Sequence, residues 1–99
     1  MNTLEYAKYV LENIARAKAG NVLKISDKVL NEHSAKEFID AMYTAIKESE
    51  VTKPKLFEVL KIVSYADSQL SAGYKYNNQM IIDKMVISIW RVLHEEETK

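Results

Sequence analysis

The sequence predicts an all-α fold, a single five-helix antiparallel bundle, and three observations lead to that prediction. Apolar residues recur at helical spacing nearly throughout the chain. Two glycines and one proline in 99 residues are too few turn residues for a sheet. The length suits one domain with one core, and short connections make successive helices antiparallel. We expect the bundle at residues 2–93 and a polar tail at residues 94–99.

The first third of the chain is expected to hold two helices of unequal length. The first covers about Thr3–Lys18, and Asn2 precedes an acidic residue by the spacing of a capping box. Gly20 is expected to stop this helix, because glycine is the commonest residue just past a helix end. A shorter second helix is expected over about Val22–Glu32, with Asn21 as its N-cap.

Three further helices have clear start signals. Ser34 begins a capping box of the S-x-x-E form, which opens the third helix. Residues 52–54, Thr-Lys-Pro, open the fourth, since proline is tolerated in the first helical turn. Gly73 is expected to end the fourth helix, and Asn77 or Asn78 is expected to cap the fifth.

The fifth helix, which runs to Leu93, is apolar on more than one face. Most of its apolar side chains share one half of the helix, but Met80 and Ile87 lie inside the polar stripe on the other half. A helix that is apolar on two faces is buried on two faces, and in a small domain the second face usually meets another chain. The stripe therefore supplies candidate interface residues: Met80, Asp83, Lys84, Ile87 and Arg91.

The loop before this helix adds two aromatic candidates. Tyr74 and Tyr76 flank Lys75, and aromatic side chains beside lysine are able to stack on single-stranded nucleic acid. Such residues more often pack against a neighbouring helix or a partner protein. We place Tyr74 and Tyr76 with the candidate interface residues.

One acidic residue of the fourth helix has an unusual position. Asp67 lies inside the apolar arc of that helix, where an ionised carboxylate without partners is costly to bury. We expect Asp67 to accept hydrogen bonds from backbone N–H groups, either of the loop after Gly73 or of the start of the last helix. Asp67 is thus expected to be structural, as are Gly20, Ser34, Gly73 and Asn77.

The sequence carries no signature of catalysis, of a cofactor or of a metal site, and it predicts a protein that is not an enzyme. It holds no cysteine, no HExxH and no phosphate-binding G-x-x-x-x-G-K-[ST] loop. The histidines, His33 and His94, are expected at a helix end and in the tail, where they are solvated or capping.

Charge and hydropathy limit the partners. Zero net charge argues against a DNA-binding domain. A local basic patch could still be formed by Lys53, Lys55, Lys61, Lys75 and Lys84. The N-terminus does not read as a signal peptide, and the longest apolar-rich stretch is too short to span a bilayer. We expect a protein without a membrane partner, in the cytoplasm or the nucleus.

Residues 62–90 resemble the C-terminal collar domain of clamp-loader subunits, namely the small subunits of replication factor C and the bacterial DNA polymerase III gamma and delta-prime subunits. Members of that family carry a helix ending in an Asp, then a Leu, a Gly and an Asn before a final apolar helix. Those places are held here by Asp67, Leu70, Gly73, and Asn77 or Asn78.

The likeness extends upstream and has two departures. Residues 17–21 resemble the junction between the family's first two helices, and residues 36–49 resemble its third helix. The loop at residues 73–77 is longer than usual in the family, and Gln69 stands where a basic residue is common.

The resemblance implies a role in DNA replication as a non-catalytic assembly domain. In that family an upstream AAA+ module binds ATP and the sliding clamp, and the collar holds the subunits in a ring. The expected partners are other clamp-loader subunits or a second copy of the chain, with DNA contacted only through the complex. A stand-alone helical adaptor that binds a partner helix is the alternative.

Overall fold

The described part of the chain is built from helices, as the sequence predicts. The computed structural model describes residues 2–49, 51, 53–72 and 77–94, and no strand occurs among them. A 3₁₀ turn at Ala19–Asn21 follows the first helix, and the second predicted helix is divided in two. The α-helices are α1 Thr3–Arg16, α2 Val22–Ser26, α3 Val29–Glu32, α4 Ala35–Lys47, α5 Lys53–Ser71 and α6 Asn78–Leu93.

Contacts between helix ends confirm that successive helices run antiparallel. Lys36, at the start of α4, forms an ion pair of 2.9 Å with Asp67 near the end of α5. Lys55, at the start of α5, donates from Nζ to the carbonyl of Leu93 at the end of α6, at 3.4 Å. Helix α5 therefore runs opposite to both α4 and α6, which pack on either side of it.

The first and last helices run in the same direction and are joined at their C-terminal ends. The indole Nε1 of Trp90 in α6 donates to the carbonyl of Ala17, just after α1, at 2.7 Å. Helix α2 returns from that end along α6. The polypeptide thus follows an up-and-down course with α2 and α3 as its second element.

The core is formed by the inward faces of the four long helices. Helical spacing places Phe38, Ile39, Met42, Ala45 and Ile46 on one face of α4, and all five are buried. Ala15 of α1 is exposed. Fully buried side chains come from every long helix and include Val10, Ile14, Phe38, Ile39, Met42, Ile46, Val59, Val63, Ile82, Met85 and Ile89.

Three of the predicted helix caps are confirmed. Asn2 accepts from the backbone N–H of Glu5 at 2.8 Å, and the Glu5 carboxylate accepts from the backbone N–H of Asn2 at 3.2 Å, which completes a capping box. Ser34 accepts from the backbone N–H three residues on at 3.1 Å. Asn77 does the same for α6 at 2.7 Å. Each of these bonds satisfies a backbone donor that the helix leaves unpaired.

The predicted role of Gly20 is wrong. Helix α1 ends at Arg16, because Ala17 adopts an extended conformation with ψ of 149°. The carbonyl of Ala17 accepts a hydrogen bond from Nε1 of Trp90. Gly20 lies in the following 3₁₀ turn without the left-handed conformation that favours glycine, and a Cβ there would meet open space. The end of α1 is therefore set by a contact with α6.

The predicted cap and length of the second helix are also wrong. Asn21 has helical backbone angles of −109° and −7° and makes no capping bond, because a cap requires an extended backbone. The helix breaks into α2 and α3 after Ser26. The carbonyl of Ser26 accepts from Nε2 of Gln79 in α6 at 3.1 Å, so α6 supplies the partner that a continuing helix would otherwise provide.

Candidate interaction surface

The outward side of α6 carries the predicted stripe. Met80, Lys84, Ile87 and Arg91 follow one another at helical spacing, so their Cβ atoms lie along one line of the helix. Met80 is 45% exposed, which is high for a large apolar side chain, and both cations are exposed. Ile87 is only half-buried and packs partly against the core. The structure therefore places one strongly exposed apolar side chain and one partly exposed one on this side.

Asp83 does not belong to that outward surface. Its Oδ1 accepts from the Oγ of Ser26 at 2.6 Å and from Nε2 of Gln79 at 2.8 Å, and the side chain is half-buried against α2. A fully buried serine on a neighbouring helix therefore binds the Asp83 carboxylate, and the interface role predicted for Asp83 stays a prediction. Nothing in the sequence around Ser26 distinguishes it from an ordinary surface serine.

Tyr74 and Tyr76 lie outside the described residues, as does Gly73. Their predicted roles stay predictions.

The partner predicted for Asp67 is also wrong. Asp67 is half-exposed, and its carboxylate binds the ammonium of Lys36 at 2.9 Å rather than backbone N–H groups. Lys36 also pairs with Asp40 at 3.3 Å on its own helix. Hydrogen bonds from Lys36 to Asp67 and then to Asp40 raise the pKa of the lysine. Asp67 therefore joins α5 to the start of α4.

The outward side of α5 presents two aromatic side chains that sequence reasoning missed. Phe57 is 68% exposed and Tyr65 is 62% exposed, the highest values among the large apolar residues described. Lys53 and Lys61, also exposed, alternate with them at intervals of four residues. The alternation was visible in the sequence, but aromatic residues in an amphipathic helix are usually expected in the core. We call Lys53, Phe57, Lys61 and Tyr65 the aromatic–lysine stripe.

The two histidines of the described chain take part in packing. His33 stacks on Tyr6 with ring centroids 4.6 Å apart, and its Nδ1 lies 3.3 Å from the hydroxyl of Thr3. His94 stacks on Trp90, with ring centroids 4.7 Å apart.

The pKa of Tyr6 is raised, first by burial and next by the carboxylate of Glu32. Among the described residues no group of three or more His, Cys, Asp or Glu is placed to hold a metal ion.

A groove of the described surface runs between α1 and the end of α4. It has a volume of about 600 Å³, and Leu11, Ala15 and Ala45 contribute its apolar part. An ion pair of 2.9 Å between Lys8 and Glu48 crosses its edge. Its charged lining residues include Lys8, Glu12, Arg16 and Glu48, all exposed, and a groove that combines apolar and exposed charged side chains suits contact with another polypeptide.

Comparison with known proteins gives no match. No family model, no curated protein and no solved structure matches the chain. None of the described helices is long and apolar enough to cross a membrane.

Proposed function

We propose that this chain is a non-catalytic assembly domain that holds protein subunits together through the outward side of α6. The observation that carries the proposal is Met80, a large apolar side chain that stands 45% exposed on a helix whose opposite side is already buried. Methionine is enriched in protein interfaces and adapts its shape to a partner. Arg91 on the same line supplies the kind of polar group that borders such contacts.

The setting that we propose is the collar of a clamp loader. The resemblance in residues 62–90 supports it, and so do the all-α architecture and the order of the helices. In such a collar the apolar area of α6 would be covered by the neighbouring subunit. Each Å² of apolar surface removed from water contributes about 25 cal/mol before the entropic cost of association.

A stand-alone adaptor is the second candidate, and the groove between α1 and α4 favours it. Its volume of about 600 Å³ and its partly apolar lining are suited to side chains of a partner helix. Ala15 lies in that groove and is exposed, so Ala15→Glu would block this mode without touching α6.

Sedimentation over a wide concentration range tests the assembly role, with the chain alone and mixed with the AAA+ subunits of a clamp loader from the same genome. We expect association that Met80→Glu weakens by about tenfold or more, as is typical when a central interface side chain is lost. Ile87 is left unchanged in this test, because it packs partly against the core and its loss would also affect folding.

Tyr43→Glu is the matched control, because Tyr43 is 40% exposed on α4 and also loses a large side chain for a carboxylate. Equal weakening by Tyr43→Glu and Met80→Glu would contradict the role of α6. A chain that stays monomeric and never co-sediments with clamp-loader subunits would refute the clamp-loader setting. If Ala15→Glu abolished binding of a partner protein and Met80→Glu did not, the result would favour the adaptor role.

A further inference from the structure

We propose that the outward side of α5 binds single-stranded nucleic acid through the aromatic–lysine stripe. The stripe alternates a cation and an aromatic ring at four-residue steps, from Lys53 through Phe57 and Lys61 to Tyr65. Four helical residues rise by about 6 Å, so the stripe is about 18 Å long. Phe57 and Tyr65 are about 12 Å apart along the helix axis, and Lys61 lies midway between them in the helix.

Both rings are free to stack on a base. Phe57 and Tyr65 are 68% and 62% exposed, and neither contacts another aromatic side chain within the described part of the chain. Tyr43 on α4 is different, because the ammonium of Lys47 sits 5.2 Å from its ring centroid. Base–aromatic stacking needs an open ring face, and Phe57 and Tyr65 are both more exposed than Tyr43.

Lysine outnumbers carboxylate on the exposed side of α5, although the whole chain is neutral. Lys53 and Lys61 are exposed there, and Glu58 is the exposed carboxylate of the helix. The other acidic residue of α5, Asp67, forms an ion pair with Lys36 of α4 at 2.9 Å.

The composition of the stripe favours nucleic acid over a protein partner. Lysine is depleted from the centres of protein interfaces, whereas surfaces that bind single strands combine positive charge with aromatic platforms. The rings require unpaired bases, because bases stacked within a duplex do not offer their faces. Binding would be sequence-tolerant and sensitive to salt. This proposal stands on α5 alone and does not depend on the assembly role of α6.

Fluorescence anisotropy with a labelled oligothymidylate of about twelve nucleotides tests the proposal, at salt concentrations from about 20 to about 200 mM. Phe57→Ala and Tyr65→Ala should each weaken binding by about 5- to 150-fold. Lys61→Gln should reduce the slope of log K against log salt by about 0.7. Glu58→Gln should tighten binding, because it removes the exposed carboxylate beside the stripe.

Tyr43→Ala is the matched aromatic control and should leave the affinity unchanged, and thermal melting of each variant checks that it folds. The proposal would be overturned if the wild type showed no anisotropy change at the lowest salt, or if Tyr43→Ala acted like Phe57→Ala. Equal binding of a duplex with the same length would also refute it. If Phe57→Ala abolished binding to a protein partner but left oligothymidylate binding unchanged, the stripe would be a protein-binding surface instead.

Discussion

The hydrogen bonds between Ser26 and Asp83 should be a measurable source of stability, and Ser26→Ala tests them. Ser26 is fully buried on α2, and its hydroxyl donates to the Asp83 carboxylate on α6 at 2.6 Å. The same hydroxyl lies 3.0 Å from the carbonyl of Leu23, but it has one proton, and the shorter contact is the one to the charged acceptor. The substitution therefore removes a charge-assisted bond that joins two helices.

The expected loss follows from the geometry of that bond. Hydrogen bonds to a charged group contribute about 1.5–3 kcal/mol to stability. Asp83 keeps the bond from Gln79 and is only half-buried, which places the expected loss at the lower end, about 1.5 kcal/mol. For a domain of this size about 4 °C of melting temperature corresponds to each kcal/mol, so we expect a decrease of about 6 °C. Circular dichroism at 222 nm during heating measures it.

A double-mutant cycle separates the bond from other effects of the serine. Ser26→Ala and Asp83→Ala together should cost about 1.5 kcal/mol less than the sum of the single variants, because each one alone already breaks the bond. Ser64→Ala on the exposed side of α5 is the control, and alanine's higher helix propensity should make it neutral or slightly stabilising. A Ser26→Ala melting temperature equal to that of the Ser64 variant, or fully additive effects in the cycle, would refute the reasoning.

Two further predictions concern the cap of α6 and alkaline pH. Asn77→Ala should lower stability by about 1 kcal/mol, whereas Asn77→Ser, which keeps a capping oxygen, should change the denaturant midpoint far less. The pKa of Tyr6 is raised above 10.0, first by burial and then by the carboxylate of Glu32 and by Tyr9. The native state therefore holds this proton longer than the unfolded state, and the stability it supplies is lost as the pH rises through the raised pKa. Tyr6→Phe should therefore reduce the fall of the urea midpoint at alkaline pH. Lys36, whose pKa is also raised, should contribute to the part of the fall that remains. An unchanged alkaline profile in Tyr6→Phe would contradict this assignment.

Features that depend on neighbouring residues in the chain could be predicted from the sequence. The capping residues Asn2, Ser34 and Asn77 act on a backbone N–H three positions away, so their spacing is enough to identify them. The apolar face of α4 follows from helical periodicity in the same way. These local rules also gave the class of the fold.

Features that depend on other helices could not be predicted in the same way. Asp83 sits in the polar stripe of α6, and helical position alone does not say which polar side chain a neighbouring helix will bind. Gly20 looked like a helix stop, yet the bond between Trp90 and Ala17 ends α1 earlier. Met80 was identified because apolar residues in a polar stripe are conspicuous. Phe57 was missed because aromatic residues are usually assigned to the core.

The tertiary contacts also change how the net charge of the chain is interpreted. Acidic and basic residues are equal in number, and this balance argued against a nucleic-acid partner. Asp67 of α5 pairs with Lys36 of α4, while Lys53 and Lys61 stay exposed on α5. The exposed side of a helix can therefore carry an excess of lysine, two lysines against the one carboxylate of Glu58, in a chain that is neutral overall.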